Sequence, residues 1–453
     1  MSLAPARLAA IEVVRRVRER AAFAPAVLDS VLAKRSLSAE DAALATRLAY
    51  GTLQAEGTLD EAIDRFAARP HDIEPAVRDA LRVAAYELLF AATPPRAAVH
   101  QGVEAVRLAR PQAAGFANAI LRKLADAASD FPWGDPASDH DALSRATAHP
   151  RWLVELLLHD VGETPAREML AADNEPAPLF LAHNPFRGSF DALVERLTAD
   201  GAEPQSCELP GCVRAGRPSA AVHSSAIHDG LALITDAAAQ LAPLAVGGHP
   251  GEPVVEIASG RGTKTLALQA LSVAAGAPAQ LYAVDVHDFK ARVLAERMSE
   301  LGVPGVTPLV GDATRLAEVP GLPALGSAAA VLVDAPCSGT GTLRRRPEKR
   351  WRLRPEDIET LARLQFALLT EAASLVRPGG VLVYSTCTVT RAENQDVVSA
   401  FLASAPGKNF QTHALSETVP AAWQRFVTQE GWFAAVPGRD GMDGHFVARL
   451  VRP

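Results

Sequence analysis

Two of the four cysteines follow short apolar segments in the same manner. Cys337 comes shortly after the run Val-Leu-Val at 331–333, and Cys387 comes shortly after the same run at 381–383. Such runs of β-branched and aliphatic residues are typical of buried parallel strands. The carboxyl ends of these strands line the ligand crevice of an open α/β sheet. We therefore expect both thiols to face one pocket, where they could perform covalent chemistry through sulfur.

A glycine-rich segment, 260–265, follows a predicted strand and precedes a predicted helix. Glycines at such a turn let the backbone approach a ligand and leave helix amide groups free to bind it. A loop for nucleoside triphosphates has glycine directly before its lysine, but Thr263 precedes Lys264. A dinucleotide-binding loop has a third glycine where Thr265 stands. The remaining common ligand is S-adenosylmethionine, for which the predicted contacts are Ala258, Ser259, Gly260, Arg261, Gly262, Thr263 and Lys264.

Acidic residues end three of the strands predicted after this loop. Asp285 ends the second strand, where an acid can bind the ribose diol of a nucleoside. Asp312 follows the third strand and could contact an adenine amine, and Asp334 ends the fourth. A single acid at a strand end is more often a helix cap. Three in order, beyond a glycine loop, favour a pocket for the adenosine and sulfonium of S-adenosylmethionine.

A cluster of cations with a tryptophan follows Cys337 in the sequence, at 343–352. Cations neutralise phosphates, and an aromatic ring stacks on bases, so this composition favours an RNA-backbone clamp. A solvated, mobile loop is the alternative. The residues predicted to contact RNA are Arg344, Arg345, Arg346, Arg350 and Trp351.

The composition restricts the class of protein. A chain of 453 residues should form two or three domains. The net charge of −7 argues against a uniformly basic nucleic-acid binder, although a local basic patch remains compatible with it. No apolar stretch is long enough for a membrane span, and the charged N-terminus does not resemble a signal peptide. Four cysteines fit a reducing cytoplasm. Cys207 and Cys212 lack a second pair of ligands at zinc spacing, so we expect no metal site. We also expect a monomer.

The periodicity of apolar residues predicts three regions. Residues 1–145 show helical spacing in six or seven segments, which indicates an all-α bundle, with a linker at 130–142. Residues 146–240 mix helix and strand patterns and predict a small α/β subdomain. From 241 to 453 strands and helices alternate, which predicts a doubly wound, mostly parallel sheet.

These motifs together resemble a known family, the RsmB/Sun-type RNA 5-methylcytosine methyltransferases of the NOL/NOP2/Sun group. The matching segments are Asp-Ala-Pro-Cys-Ser-Gly-Thr-Gly at 334–341, Tyr-Ser-Thr-Cys at 384–387, Glu393-Asn394 and the closing strand at 443–449. The segments AYGTL, LRVAAYELLF and GFANAILRK resemble the NusB-like helical domain of the Sun branch. The Pro-Cys and Thr-Cys pair is the specific part of the resemblance.

The resemblance implies a Rossmann-like class I methyltransferase domain and an RNA-binding NusB-like domain. It implies that Cys387 is the thiol that attacks a cytosine and that Cys337 assists its release. Asp334 would hydrogen-bond the cytosine edge, and Lys264 would lower the pKa of the thiol or orient the base. The expected substrate is 16S ribosomal RNA, as a single strand or with a flipped cytosine.

The glycine loop departs from the family pattern Asp-x-Cys-Ala-Ala-Pro-Gly-Gly-Lys. Here Glu256 replaces the aspartate, and Arg-Gly-Thr at 261–263 replaces Pro-Gly-Gly. This departure motivates one alternative, a non-catalytic RNA-binding assembly factor that has lost cofactor affinity. Methylation of transfer RNA is the alternative within the same class. A DNA cytosine methyltransferase is disfavoured because that group uses the Pro-Cys thiol without a Thr-Cys partner.

Overall fold

A computed structural model describes residues 3–438 and 441–453. The chain divides into two units, one formed by residues 1–175 with 343–354 and the other by 176–342 with 355–453. We call them the helical unit and the sheet unit. The predicted boundary at 145 differs from this division because the helices between 146 and 175 group with the helical unit.

Helices account for the regular structure described in residues 3–175. Seven α-helices lie between 3 and 128, in agreement with the predicted bundle, and three more follow them; the first of these begins at His140, within the segment predicted as a linker. They are α1 (Pro5–Arg20), α2 (Ala24–Leu32), α3 (Ala39–Gln54), α4 (Glu56–Asp64), α5 (Pro75–Leu89), α6 (Pro95–Ala109), α7 (Ala114–Ala127), α8 (His140–Thr147), α9 (Arg151–Val161) and α10 (Glu163–Ala172).

The helical unit forms because each helix buries one apolar stripe. Val13 and Val17 of α1 pack with Leu48 of α3 and Val83 of α5, all of them buried. Ser38 caps α3, since its hydroxyl accepts a hydrogen bond from the amide of Asp41 at 3.1 Å. Ser38 with Asp41 three residues later is a sequence pattern typical of a helix start, and the cap agrees with it.

Several cations of α1 and of the segment after α2 are paired with carboxylates. Arg16 pairs with Glu12, and Arg35 bonds to the same carboxylate. Arg18 bonds to the buried carboxylate of Asp79 at 2.9 Å. Ion pairs of this kind reduce the positive potential that an RNA phosphate would meet.

The sheet unit contains two sheets. The smaller one has the order β2-β3-β1-β4 and is antiparallel, and it lies within the range predicted for a small α/β subdomain. Its strands and helices are β1 (Leu179–His183), α11 (Phe190–Ala199), β2 (Pro204–Ser206), β3 (Cys212–Ala215), α12 (Pro218–Val222), α13 (Ser225–His228) and β4 (Ala232–Ile234).

The larger sheet has the order β10-β12-β9-β8-β5-β6-β7, with β11 paired to β12. Strands β7, β6, β5, β8 and β9 are mutually parallel, and β12 runs antiparallel to β9. The predicted fold class, a mostly parallel doubly wound sheet, is confirmed. The elements are α14 (Ala237–Val246), β5 (Pro253–Ile257), α15 (Thr263–Ala274), β6 (Gln280–Asp285), α16 (Asp288–Glu300), β7 (Val306–Val310), β8 (Ala328–Asp334), α17 (Pro355–Leu375), β9 (Val376–Thr386), α18 (Gln395–Ala403), β10 (Gln411–Thr412), β11 (Phe433–Ala435) and β12 (His445–Val451).

Strand β8 shows why the sequence forms a central strand. Val331 and Val333 belong to one apolar core, whereas Ala330 and Leu332 belong to the core on the other side. A strand covered on both faces needs an uninterrupted apolar run. Pro308 lies in β7 at the end of the sheet order, where a residue without an N–H group is tolerated. None of the helices among the described residues has the length and apolar character required to cross a membrane.

Candidate functional site

The loops after β8 and β9 bring the two predicted cysteines together. Asp334 of β8 pairs in register with Ser385 of the parallel β9, so both strands end at one edge of the sheet. The sulfur atoms of Cys337 and Cys387 lie 3.3 Å apart, and both side chains are partly buried. A thiol and a thiolate can share a proton at this distance.

A buried carboxylate holds both cysteine loops. Glu393 is fully buried and accepts five hydrogen bonds. Its Oε1 accepts from the amide of Ser338 at 2.7 Å, and its Oε2 accepts from the hydroxyls of Ser338 at 2.5 Å and Thr390 at 2.8 Å. Because Ser338 follows Cys337 and Thr390 lies just beyond Cys387, this carboxylate fixes the loops of both thiols.

Two features of the sequence relate to this network. Glu393 belongs to one of the matching family motifs, although the motif alone does not indicate its role. Thr388 and Thr390 follow Cys387 with alternate spacing, and their hydroxyls both donate to Glu393. Hydroxyl residues around a cysteine, rather than apolar ones, could have indicated a buried acceptor.

Lys264 and Asp334 form an ion pair at the start of the same pocket. The ammonium Nζ lies 2.8 Å from Oδ2 of Asp334. Burial lowers the pKa of Lys264, but the attractions of Asp334, the Cys387 sulfur and Glu256 outweigh it, so the net pKa is raised. Lys264 therefore remains a cation at neutral pH.

The charges around the two thiols differ. The interaction with Lys264 favours negative charge on Cys387. The pKa of Cys337 is raised well above its ordinary value by its hydrogen bond to Cys387, by burial and by repulsion from the charges of Cys387 and Glu393. Lys264 therefore favours a negative charge on the sulfur of Cys387, whereas Glu393 disfavours one on the sulfur of Cys337.

The glycine loop lines a cavity of about 280 Å³. Its lining residues include most of those predicted to bind the cofactor: Ala258, Ser259, Gly260, Arg261, Thr263, Lys264 and Asp334, together with Ile234 and Thr235. Gly262 has a φ of 83° and is buried, and a Cβ there would lie 2.8 Å from Cε of Met298. Glycine is needed at 262 both for this backbone conformation and for close packing.

The other two predicted acids are not among the residues that line this cavity. Asp285 is buried, and its oxygens accept from the amides of Gly260 at 3.2 Å and His287 at 3.0 Å. Asp312 is exposed, and hydrogen bonds from the amide and hydroxyl of Thr314 lower its pKa. Asp285 thus supports the loop, and Asp312 stabilises a turn.

Sequence reasoning missed two apolar residues at this end of the sheet. Val286 follows Asp285, and Val310, which ends β7, pairs in register with Asp285. Both are exposed, at 59% and 44% respectively. Exposed valines at the carboxyl ends of adjacent strands offer a surface on which a flat ring could lie.

Glu256, which replaces the aspartate of the family pattern, does not reach the cavity. It is 1% exposed, and its Oε2 accepts a hydrogen bond from the hydroxyl of Thr265 at 2.5 Å. Burial raises its pKa to about 8, with the Thr265 bond opposing the shift. The extra methylene therefore places this acid under the loop, where it supports the first turn of α15.

The cationic segment 343–354 belongs to the helical unit, and the RNA contact predicted for Arg350 is incompatible with its position. Arg350 has no exposed surface. Its guanidinium donates to the carbonyl oxygens of Ala148 and Asp173, both at 3.0 Å, and to Oδ1 of Asn174 at 2.8 Å. A guanidinium enclosed in this way cannot reach a phosphate.

Other residues of this segment are also buried or hydrogen-bonded within the protein. The indole of Trp351 donates to the carbonyl oxygen of Gln54 at 2.7 Å, and its ring lies against Gly57, where a Cβ would collide with it. Arg344 is buried, whereas Arg345 is half-buried and Arg346 is exposed. Arg345 and Arg346 remain the residues of this cluster that can be proposed to contact RNA.

A glycine loop at the first strand of a mostly parallel sheet, with paired functional residues at the ends of the fourth and fifth, defines the class I methyltransferase architecture. Comparison with known proteins agrees with this class. Residues 243–451 match the family described as 16S rRNA methyltransferase RsmB/F, residues 4–126 match the NusB family, and residues 149–221 match the ferredoxin-like domain of RsmF/B-like methyltransferases.

Individual relatives cover nearly the whole chain. The chain is 35% identical to the Mycobacterium tuberculosis (strain H37Rv) protein Rv1407 over 99% of this chain and 97% of that protein. It is 32% identical to the ribosomal RNA small subunit methyltransferase B of Thermus thermophilus, over 98% and 97% respectively. The crystal structure of the protein PH0851 superposes with a TM-score of 0.82 at 26% identity, covering 100% of this chain and 99% of that one. The chain belongs to the RsmB/F family of 16S ribosomal RNA methyltransferases.

Proposed function

We propose that this protein methylates carbon 5 of a cytosine in 16S ribosomal RNA, using S-adenosylmethionine and a covalent adduct with Cys387. The observation that carries the proposal is the 3.3 Å approach of the two sulfurs beside the Lys264–Asp334 pair. One sulfur next to a cation and a second, protonated thiol are the groups that an addition and elimination on one base require.

The residues of the cavity fit S-adenosylmethionine. A Cβ at Gly260 would meet only the carbonyl oxygen of Ala258, at 3.9 Å, so the loop leaves space for a ligand next to its backbone. Asp285 has lone pairs left for a ribose hydroxyl, and Val286 and Val310 fit the faces of an adenine. When bound, S-adenosylmethionine supplies an electrophilic methyl group.

Cys387 would supply the nucleophile. Carbon 5 of cytosine reacts poorly with a methyl sulfonium until a thiolate adds to carbon 6. That addition forms a sulfur–carbon bond and moves the electron pair of the ring double bond toward carbon 5. Lys264 stabilises the thiolate before attack by its positive charge.

Asp334 would bind the edge of the base. Its side chain is partly exposed to the cavity and is oriented by Lys264. Hydrogen bonding at the ring nitrogen and the exocyclic amine of cytosine would promote protonation of the ring as sulfur adds. The pair of Lys264 and Asp334 thus positions the base and balances the charge that develops on it.

Cys337 would assist the release of the product. After carbon 5 is methylated, a solvent base would take its remaining proton, the electron pair of that C–H bond would re-form the ring double bond, and the bond between Cys387 and carbon 6 would break. Cys337 lies against Cys387 and can return a proton to the departing sulfur. This division of roles follows from the charges near the two thiols.

The RNA must present its target cytosine unstacked. A base inside a helix is inaccessible to thiols at the end of a sheet, so we propose a single-stranded or flipped cytosine. Arg345 and Arg346 are proposed to bind the RNA backbone near the point where the chain enters the helical unit. The NusB-like helices are proposed to add a second RNA-binding surface.

The proposal is tested by tritium transfer from labelled S-adenosylmethionine to 16S ribosomal RNA and to transfer RNA, with wild-type protein and with Cys387→Ser and Cys337→Ser. We expect label in ribosomal RNA with wild type and a loss of at least about a thousandfold in Cys387→Ser, since the nucleophile is removed. Cys337→Ser should accumulate an RNA adduct that survives denaturing electrophoresis.

The other outcomes separate the alternatives. Normal turnover by Cys387→Ser would exclude the covalent mechanism. Label in transfer RNA alone would favour the other substrate class. RNA binding by the wild type without any label in either RNA would favour the assembly factor. Bisulfite sequencing of ribosomal RNA from a deletion strain would identify the methylated position.

A further inference from the structure

Arg261 is a departure from the family pattern that introduces a charge into the cofactor loop. The family has proline at this position, whereas here an exposed arginine lines the 280 Å³ cavity with Lys264 and Asp334. Within the described part of the chain, Arg261 has no carboxylate partner. The cavity therefore contains a guanidinium whose charge the protein does not neutralise.

A second guanidinium increases the positive charge at this loop. Nη1 of Arg297, on α16, donates to the carbonyl oxygen of Arg261 at 3.0 Å and lies 3.4 Å from the hydroxyl of Thr263. Burial, followed by repulsion from Arg261, lowers the pKa of Arg297. Arg297 thus fixes the backbone of the loop while its charge makes the surroundings of Arg261 more favourable for an anion.

The other charges of the cavity already have partners. Lys264 pairs with Asp334 at 2.8 Å, so this cation and this acid balance each other. The start of α15 adds free amide groups beside Arg261, and helix amino ends favour negative charge. The group that fits this corner is a carboxylate, which a guanidinium can bind through two parallel hydrogen bonds.

We propose that Arg261 binds the carboxylate of the methionine part of S-adenosylmethionine. This inference rests on the proposed cofactor and goes beyond it, because it assigns recognition of one functional group to one side chain. Asp285 accepts a hydrogen bond from the amide of Gly260, and this part of the loop is proposed to bind the adenosine. Arg261 is the next residue, between Gly260 and the start of α15.

The test compares two ligands that differ by the carboxylate, S-adenosylmethionine and decarboxylated S-adenosylmethionine. Binding of each is measured by calorimetry to wild type, Arg261→Ala and Arg261→Lys, with Arg363→Ala as a control for loss of an exposed arginine on α17. Arg261→Ala should weaken binding of S-adenosylmethionine about 10- to 100-fold, the range for a hydrogen bond to a charged group. Binding of the decarboxylated ligand should change less than about twofold, and Arg261→Lys should recover part of the loss.

Each result supports or contradicts the role proposed for Arg261. Equal losses for both ligands, or no loss for either, would overturn the role of Arg261 while leaving the proposed function intact. Failure of wild type to bind S-adenosylmethionine would overturn the cofactor itself, and this inference with it. If Arg261→Ala unfolds at the same midpoint temperature as the wild type, a selective loss of affinity cannot be attributed to unfolding.

Discussion

Each unit of the protein contains a buried polar cluster, and the two clusters are built in opposite ways. In the helical unit Arg350 is a cation surrounded by carbonyl oxygens of residues 148, 173 and 174. In the sheet unit Glu393 is an acid surrounded by hydroxyl and N–H donors. Both side chains are fully buried, and both join segments that are distant in sequence.

The difference lies in what each cluster touches. The donors to Glu393 sit on the two loops that carry the thiols, so its carboxylate controls where reactive atoms lie. Arg350 donates to the carbonyl oxygen of Asp173, whose Oδ2 lies 3.4 Å from Nε2 of His149, so this cluster joins segments of the helical unit. A buried charge thus marks a position where the fold supplies several hydrogen-bond partners. Whether that charge affects the reaction depends on the residues that it contacts.

Replacement of Glu393 should give the largest effect. Glu393→Ala removes the acceptor of five hydrogen bonds, and we expect it to destabilise the protein by about 3 kcal/mol. Glu393→Gln keeps the volume but turns an N–H₂ group toward donors, which should shift the cysteine loops and lower turnover roughly 100-fold. Turnover, denaturant unfolding and cofactor affinity are measured, and cofactor affinity should remain within about threefold.

Glu359→Gln, an exposed change on α17, is the control for that experiment. Normal turnover by Glu393→Gln would show that the carboxylate supports the fold without positioning the thiols.

Replacement of Arg350 should reduce stability more than chemistry. Arg350→Met fills a similar volume but removes the hydrogen bonds that Arg350 donates to the carbonyl oxygens of Ala148 and Asp173, at a cost of about 3 kcal/mol. Hydrogen exchange should accelerate in peptides covering 147–149 and 173–175. Turnover at saturating RNA should change by less than about fivefold, and a larger loss would mean that this cluster also acts on the reaction.

Buried, neutral His149 contributes to the free energy of unfolding at neutral pH, and this contribution is lost in acid. Burial, helped by repulsion from Arg350, lowers the pKa of His149 to about 4, whereas an unfolded histidine titrates near its ordinary 6.5. Stability is therefore fully present above pH 6.5 and falls as the pH drops toward 4, because the unfolded chain takes up the proton first. His149→Asn should flatten this part of the stability profile, and exposed His71→Asn should leave it unchanged.

Glu256 gives the sheet unit a pH dependence of the opposite sign. Burial raises the pKa of Glu256 to about 8 from an ordinary 4.5, so the folded state retains a proton that the unfolded chain releases. Its contribution is fully present below pH 4.5 and is lost as the pH rises toward 8. Glu256→Gln mimics the protonated acid and should remove this decline, measured by denaturant unfolding at pH 5 and pH 8. A decline of equal size in the variant would assign it to another group.

Local sequence patterns predicted much of this architecture. The apolar runs at 331–333 and 381–383 specified two central strands, since a strand covered on both faces must be apolar throughout. The parallel order of those strands then required both cysteines to lie at one edge. The Ser38 cap and the helical periodicity of residues 3–128 are likewise local, and the structure agrees with them.

Side-chain partners were not predictable in the same way. Arg350 was predicted to contact RNA because a run of cations does not show, in sequence, which of its members are exposed and which are buried. The carbonyl groups that enclose it come from positions about 200 residues earlier in the chain. Glu256 looked like a longer version of a cofactor-binding acid, whereas the structure buries it beneath the loop.

The sequence by itself determined the strand and helix order, the glycine loop and the placement of two cysteines after adjacent strands, because these depend on periodicity and on neighbours within a few residues. Only the tertiary structure decided which charges are neutralised, which are buried and which remain available. Those properties depend on groups brought together from distant parts of the chain, so Lys264 meets Asp334 and Glu393 meets Ser338 only when the sheet has formed.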